Sequence, residues 1–157
     1  MRWILLFALF AGCASHERLV PGQATPADAD KVMGAAAEAR PGQNGETVRY
    51  YSRQPYGRQI YAARFGRDGR LIGIEPRLTT DNMERIVRDS WSSAQVRDLL
   101  GPPYEVHSLP RQEREVWTYW MHGTTWPKHL YVQFSKDDIL REVIYIDDPT
   151  LRGREQD

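Results

Sequence analysis

An α+β fold built from two tandem ααβββ units, each a helical pair packed on a three-stranded antiparallel meander, is predicted by three observations. The segment Thr25 to Gly34 aligns without a gap with Ser92 to Gly101. Runs with period-2 patterning, rich in aromatic and β-branched residues, follow each segment in the same order. A tight-turn signal sits at the same place in both halves, Asp68-Gly69 in one and Asp137-Asp138 in the other. The alignment places the first unit at about 19–76 and the second at about 81–148, followed by a flexible tail, 149–157. Each unit is about 60 residues, a size that is only marginally stable alone.

The helices come first. Thr25 and Ser92 are hydroxyl N-caps, and Asp28 and Gln95 three residues later complete a capping box in each copy. Ala29, Val32 and Met33 correspond to Val96, Leu99 and Leu100, an i, i+3, i+4 stripe that marks one buried helix face. Pro26 takes the favoured first helical position, and Gly101 with Pro102-Pro103 stops the second helix. Gly34 either stops the first helix or lets Ala35-Ala36-Ala37-Glu38-Ala39 carry it on to Pro41-Gly42. A short apolar pair precedes each helix, Leu19-Val20 and Ile86-Val87, and Asp81 with Glu84 signals an additional helix start in the second unit.

The strands follow. Val48-Arg49-Tyr50 corresponds to Trp117-Thr118-Tyr119, and Tyr61 to Phe65 corresponds to Leu130 to Phe134. Leu71 to Ile74 and Leu140 to Ile146 complete the two meanders. Successive strand residues point to opposite faces. With Trp117, Tyr119, Leu130, Val132 and Phe134 on the helices, Trp120, Tyr131, Gln133 and His122 face outward. In the first unit Arg49, Tyr51, Arg53 and Arg64 are expected on the equivalent face.

The bulk numbers narrow the class. The 157 residues are 41% apolar and 27% charged, which fits a globular chain and argues against global disorder. Formal net charge is zero, which gives no long-range pull toward nucleic acid. Apart from Lys31, Lys128 and Lys136 every basic residue is Arg. Between Arg49 and Arg70 six arginines face the single acid Asp68.

The N-terminus reads as an address and an anchor. Met1-Arg2, the apolar run Trp3 to Phe10 and the small pair Ala11-Gly12 have the shape of a signal peptide, 1–12, far too short to span a bilayer. Cys13 is the chain's one cysteine, which excludes an internal disulfide and a thiolate zinc cluster. Phe10-Ala11-Gly12-Cys13 resembles the bacterial lipobox, with Phe10 where Leu is usual. That resemblance implies cleavage before Cys13, a diacylglyceryl group on its thiol and a short lipidated tether, 13–18. Several acyl chains on one residue hold a protein stably at a membrane. Ala14 after the cysteine, by similarity to enterobacterial sorting rules, favours the periplasmic face of the outer membrane over the inner membrane.

Ser92 with Val96, Leu99-Leu100-Gly101-Pro102-Pro103, Trp117-Thr118-Tyr119 and Leu130-Tyr131-Val132-Gln133-Phe134 together resemble the SmpA/OmlA (BamE-like) family of outer-membrane lipoproteins. Gly22, Thr25, Asp28, Val32, Met33, Gly34, Tyr50 and Phe65 are the similar elements of the first copy. A tandem pair of such units is similar in arrangement to β-lactamase inhibitor protein. The family resemblance implies a binding or scaffolding role in or near outer-membrane protein assembly, with β-barrel assembly machinery as a partner.

No GxSxG, SxxK or P-loop pattern occurs, and His16, His107, His122 and His129 lack metal-ligand spacing. His122 and His129 flank a hairpin loop and read as loop or strand-end residues. Asp147-Asp148 is a solvated strand end, and Gly66-Arg67-Asp68-Gly69 a strand-to-strand turn without the helix N-terminus that a phosphate cradle requires. The expected function is non-enzymatic: no catalytic residue, no metal, and no cofactor beyond covalent lipid on Cys13. Trp120, Trp126, Tyr131 and Tyr51 are the candidate partner-binding residues, because exposed Trp, Tyr and Arg dominate interface energetics. Arg49, Arg53, Arg58 and Arg64 are candidates for meeting anionic headgroups. Two other classes fit the same pattern: a periplasmic inhibitor that blocks an enzyme with its sheet, and a structural lipoprotein contacting lipid or peptidoglycan. For Trp120 the alternative to an exposed role is burial between the two units.

Overall fold

A computed structural model of the chain describes residues 18–123 and 128–147. The first half contains helix α1 (Pro26–Met33) and strands β1 (Glu38–Pro41), β2 (Thr47–Ser52), β3 (Ile60–Phe65) and β4 (Leu71–Pro76). The second contains helices α2 (Thr80–Glu84) and α3 (Ser93–Leu100) and strands β5 (Glu105–Leu109), β6 (Arg114–Met121), β7 (Lys128–Ser135) and β8 (Leu140–Asp147). Each set of four strands is an antiparallel meander in chain order. The ααβββ expectation is therefore corrected. Both sheets have four strands, and the first has one helix before it among the described residues, not two.

The added strands have local causes. Gly34 and Gly101 adopt φ near 81° and 85°, and their N–H groups donate to Asp30 O and Arg97 O. Each ends its helix in a conformation that L residues disfavour. The alanines after Gly34 then bend, with Ala37 N–H donating to Tyr50 O, and lead into β1. β1 and β5 escape a hydrophobic-pattern reading because they are edge strands. Pro41 ends β1, a strand position that tolerates the missing N–H, and every residue of β5 is exposed.

The halves share further detail. Thr25 with Asp28 and Ser92 with Gln95 form complete capping boxes. A register shift falls between Arg64 and Phe65 in β3 and between Gln133 and Phe134 in β7. Two-residue alternation then sorts the side chains. Tyr51, Ala63, Phe65 and Leu71 pack with Ala29 and Met33 of α1. Tyr50, Ile60 and Ala62, on the opposite face of the same sheet, pack with Val96, Leu99 and Leu100 of α3. Trp117, Tyr119, Leu130, Val132 and Phe134 belong to that same cluster. The layers are thus α1, first sheet, α3, second sheet.

Gly101 is where the layers meet. A Cβ at this position would lie 2.8 Å from Tyr50 Cδ1 and 2.9 Å from Ile60 Cγ2. Its carbonyl accepts a hydrogen bond from the Tyr119 hydroxyl at 3.0 Å. Complete burial pushes that phenol well above its usual 10.0. Tyr50 Oη donates to Asp98 O at 2.9 Å, and Arg97 reaches Glu38 at 2.7 Å, so α3 is fastened to the first sheet by polar contacts as well as by packing.

Candidate functional site

α1 packs on one side of the first sheet and α3 on the other, against Tyr50, Ile60 and Ala62. Tyr51 shows the consequence. It is 1% exposed, and its hydroxyl donates to Asp30 Oδ1 at 2.9 Å. Its expected place among the partner-binding residues is corrected to a core position under α1. Arg49 lies on the same face and pairs with Asp30 at 3.1 Å. Arg64 points to the other side, 3.3 Å from Glu46 and 3.7 Å from Glu75. Arg53 is exposed in the β2–β3 loop, and Arg58 leaves that loop toward the second sheet. The four arginines therefore do not share one face, and two of them are already neutralised by carboxylates.

The second sheet is different. Its helix-free face is built by the register of β6, β7 and β8, which sets Trp120 opposite His129 and Thr118 opposite Tyr131. Ile144 follows beside Tyr131, and Ile146 beside His129. Trp120 stacks at a tilt on His129 with ring centroids 4.4 Å apart, and Tyr104 meets it edge-on at 5.9 Å. The Arg58 guanidinium lies over the Trp120 ring at 5.3 Å, a cation–π contact. His129 Nδ1 is 3.2 Å from the Tyr131 hydroxyl. His129, read from the sequence as a loop or strand-end residue, is 6% exposed within β7. The reason is Trp120, whose ring covers it.

The loop from Arg53 to Gln59 joins this face to the first half. Gln54 Oε1 accepts the Trp120 backbone N–H at 2.6 Å, beyond the point where β5 stops pairing with β6. Tyr56 at the loop tip is 94% exposed. The structure thus brings Trp120 and Tyr131 onto one face, with Arg58 over Trp120, and places Arg53 on the adjoining loop. Sequence reading missed Tyr104, Tyr56 and Gln54 as members of this group. Only their aromatic character or their place in a Pro- and Gly-containing loop hinted at a role, because the contacts cross from one half to the other. Trp126 and Cys13 lie outside the described residues, as do His16 and Asp148.

The resulting surface is amphipathic. Tyr104 and Ile146 are 46% and 44% exposed, and Trp120, Tyr131 and Ile144 are partly exposed between them. Aromatic rings and a guanidinium are the groups that bind protein surfaces most strongly per residue. Among the described residues no three His, Cys, Asp or Glu side chains are grouped to hold a metal. Also among them, no helix is long and apolar enough to cross a membrane.

No family model matches the chain, and no curated protein does. A crystal structure of a DUF4309 family protein (YjgB) from Bacillus subtilis is similar at 17% identity and a TM-score of 0.33, covering 84% of each chain.

Proposed function

We propose that the chain is an envelope lipoprotein acting as a non-enzymatic protein-binding module, working in or near outer-membrane protein assembly. The observation that carries the binding reading is the open face of the second sheet: Trp120, Tyr131, Ile144 and Ile146 in register, with Arg58 and Tyr104 at its border. An anchor at Cys13 supports the placement. Leu19, six residues further on, is already packed in the first core, so lipid on the cysteine would hold the folded part within about 20 Å of the bilayer at about 3.5 Å per extended residue. The resemblance to SmpA/OmlA lipoproteins rests on sequence motifs and belongs to this proposal.

The test is a paired pull-down from detergent-solubilised envelopes. Ile144→Asp alters the open face, and Lys31→Asp alters an exposed site on α1, where the side chain is 77% exposed. Wild type and Lys31→Asp are expected to recover β-barrel assembly components, and Ile144→Asp to lose them. Recovery of a soluble hydrolase by the same face would replace assembly with inhibition. Equal recovery by both variants would remove the face from the account. Mass spectrometry of the mature N-terminus checks the anchor: Cys13 acylated in the wild type, and an unacylated chain from Cys13→Ala.

A further inference from the structure

A second candidate contact lies at the edge of the second sheet, independent of the protein-binding reading. The two meanders have four edge strands, and an unpaired edge is a template for another strand unless it is short, interrupted or covered. Three of the four are. β1 has four residues and ends at Pro41. β4 contains Gly73 and ends at Pro76, and Leu71 at its start is already bonded to Gly22 and Ala24. β5 has five residues between Pro103 and Pro110. β8 is different. It has eight residues, no proline or glycine, and Val143-Ile144-Tyr145-Ile146 in unbroken succession. β7 pairs with one side of it. On the other side Leu140 is taken: its N–H donates to Trp91 O and its carbonyl accepts from Asp89 N, both at 2.7 Å. From Glu142 to Ile146 no hydrogen bond reaches the outer edge among the described residues.

The sequence of β8 says what fits there. Val143 packs toward the core on the helix side, and Ile144 lies on the open face beside Tyr131. In an antiparallel pair, side chains directly opposite share a face, so two copies can meet only in registers that keep this alternation. One such register sets Ile144 opposite itself, Val143 opposite Tyr145 and Glu142 opposite Ile146, with Arg141 approaching Asp147 of the second copy. It pairs a β-branched residue with an aromatic ring twice and brings opposite charges together at both ends. A shift of two residues one way sets Val143 against Asp147. The same shift the other way drives Ile146 against Leu140, whose backbone groups are occupied. In the fitting register the second strand ends at Asp147, just before the Asp89–Trp91 segment closes the edge. We infer that β8 is the seam of a symmetric dimer, in which two copies of this chain join their second sheets edge to edge into one antiparallel sheet. Such a contact closes on itself and leaves no further edge of β8 to extend. The two-fold axis stands perpendicular to the sheet, so both open faces lie on the same side.

Two measurements on the full chain, purified in detergent, test the seam. Sedimentation equilibrium is expected to show a concentration-dependent dimer. Tyr145→Lys places a charge at the edge twice per dimer and is expected to weaken association about tenfold. Disulfide trapping then reads the register. With Val143→Cys and Tyr145→Cys combined in one chain, each introduced thiol faces one across the seam, and mild oxidation is expected to give a covalent dimer. Lys31→Cys on α1 and the wild type, whose one cysteine is Cys13, are the controls and are expected to give none through the seam. None of these substitutions alters a side chain of the open face, so partner capture and dimer formation are read separately. The inference is overturned by a monomer at every concentration, by a dimer that Tyr145→Lys leaves unchanged, or by trapping no greater than in the controls.

Discussion

β3 and β7 occupy equivalent places in their meanders, yet their surroundings differ. In β3, Ile60 and Ala62 face α3 while Ala63 and Phe65 face α1, so residues of both parities are buried. In β7, Leu130, Val132 and Phe134 are buried, while Tyr131 and Gln133 between them remain partly exposed. Two halves with the same plan have thus been put to different uses. One sheet is an interior layer, and the other keeps a face for contact. The comparison teaches that repetition predicts local geometry well and exposure poorly, because exposure depends on what the neighbouring copy covers.

The two helix-ending glycines offer the sharpest way to break this comparison. Gly34 and Gly101 have nearly the same backbone, but a Cβ at Gly34 meets nothing within 4 Å, whereas one at Gly101 strikes Tyr50 and Ile60. Gly34→Ala should cost about 1–3 kcal/mol, the strain of an L residue in that conformation. Gly101→Ala adds overpacking of similar size, for a loss of about 2–6 kcal/mol. Denaturant unfolding measures both. Equal losses would contradict a first sheet packed against α3.

The next effect separates the two faces of the first sheet. Tyr50→Phe and Tyr51→Phe each remove one hydroxyl bond, to Asp98 O and to Asp30 Oδ1. Each should cost about 1 kcal/mol. Amide exchange locates the damage: faster opening of α3 for the first variant and of α1 for the second. Loss of protection in the same helix from both would contradict opposite burial of these neighbours. Smaller still is Arg58→Ala, which removes the cation–π contact over Trp120 and should cost about 0.5–1 kcal/mol. It should also increase the solvent accessibility of the Trp120 indole in quenching measurements.

The smallest effect concerns the capping boxes. Hydrogen bonds from Thr25 hold the Asp28 carboxyl below its ordinary value of 3.8, while the equivalent Gln95 does not titrate. A depressed carboxylate stabilises the fold above its unfolded pKa, and that contribution is lost as pH falls through the lower folded value. Acidification below about pH 4 should therefore fray the start of α1 and spare the start of α3. Asp28→Asn should remove the difference, which the pH dependence of the Thr25 and Ser92 amide signals would show.

Much of the repeat was legible in residues. The capping boxes, the alignment of Gly34 with Gly101 and the inward set from Trp117 to Phe134 all follow from short-range rules. The short edge strands were not, since Glu105–Leu109 has no buried residue to set a period. Burial of the first sheet on both sides did leave a trace. Tyr50-Tyr51 and Ala62-Ala63 put apolar residues on both parities of their strands, as strands covered on both faces do. For the aromatic face, the row itself followed from alternation in β6 and β7. Its completion by Gln54, Arg58 and Tyr104 did not, because those contacts depend on how the two halves dock.

Site-specific photocrosslinking in intact envelopes measures the proposed division of labour most directly. A photoreactive residue at Tyr131 or Ile144 should give the same discrete protein adduct, and one at Lys31 on α1 should give none. Adducts from Lys31 alone, or identical adducts from all three positions, would contradict a contact face confined to the second sheet.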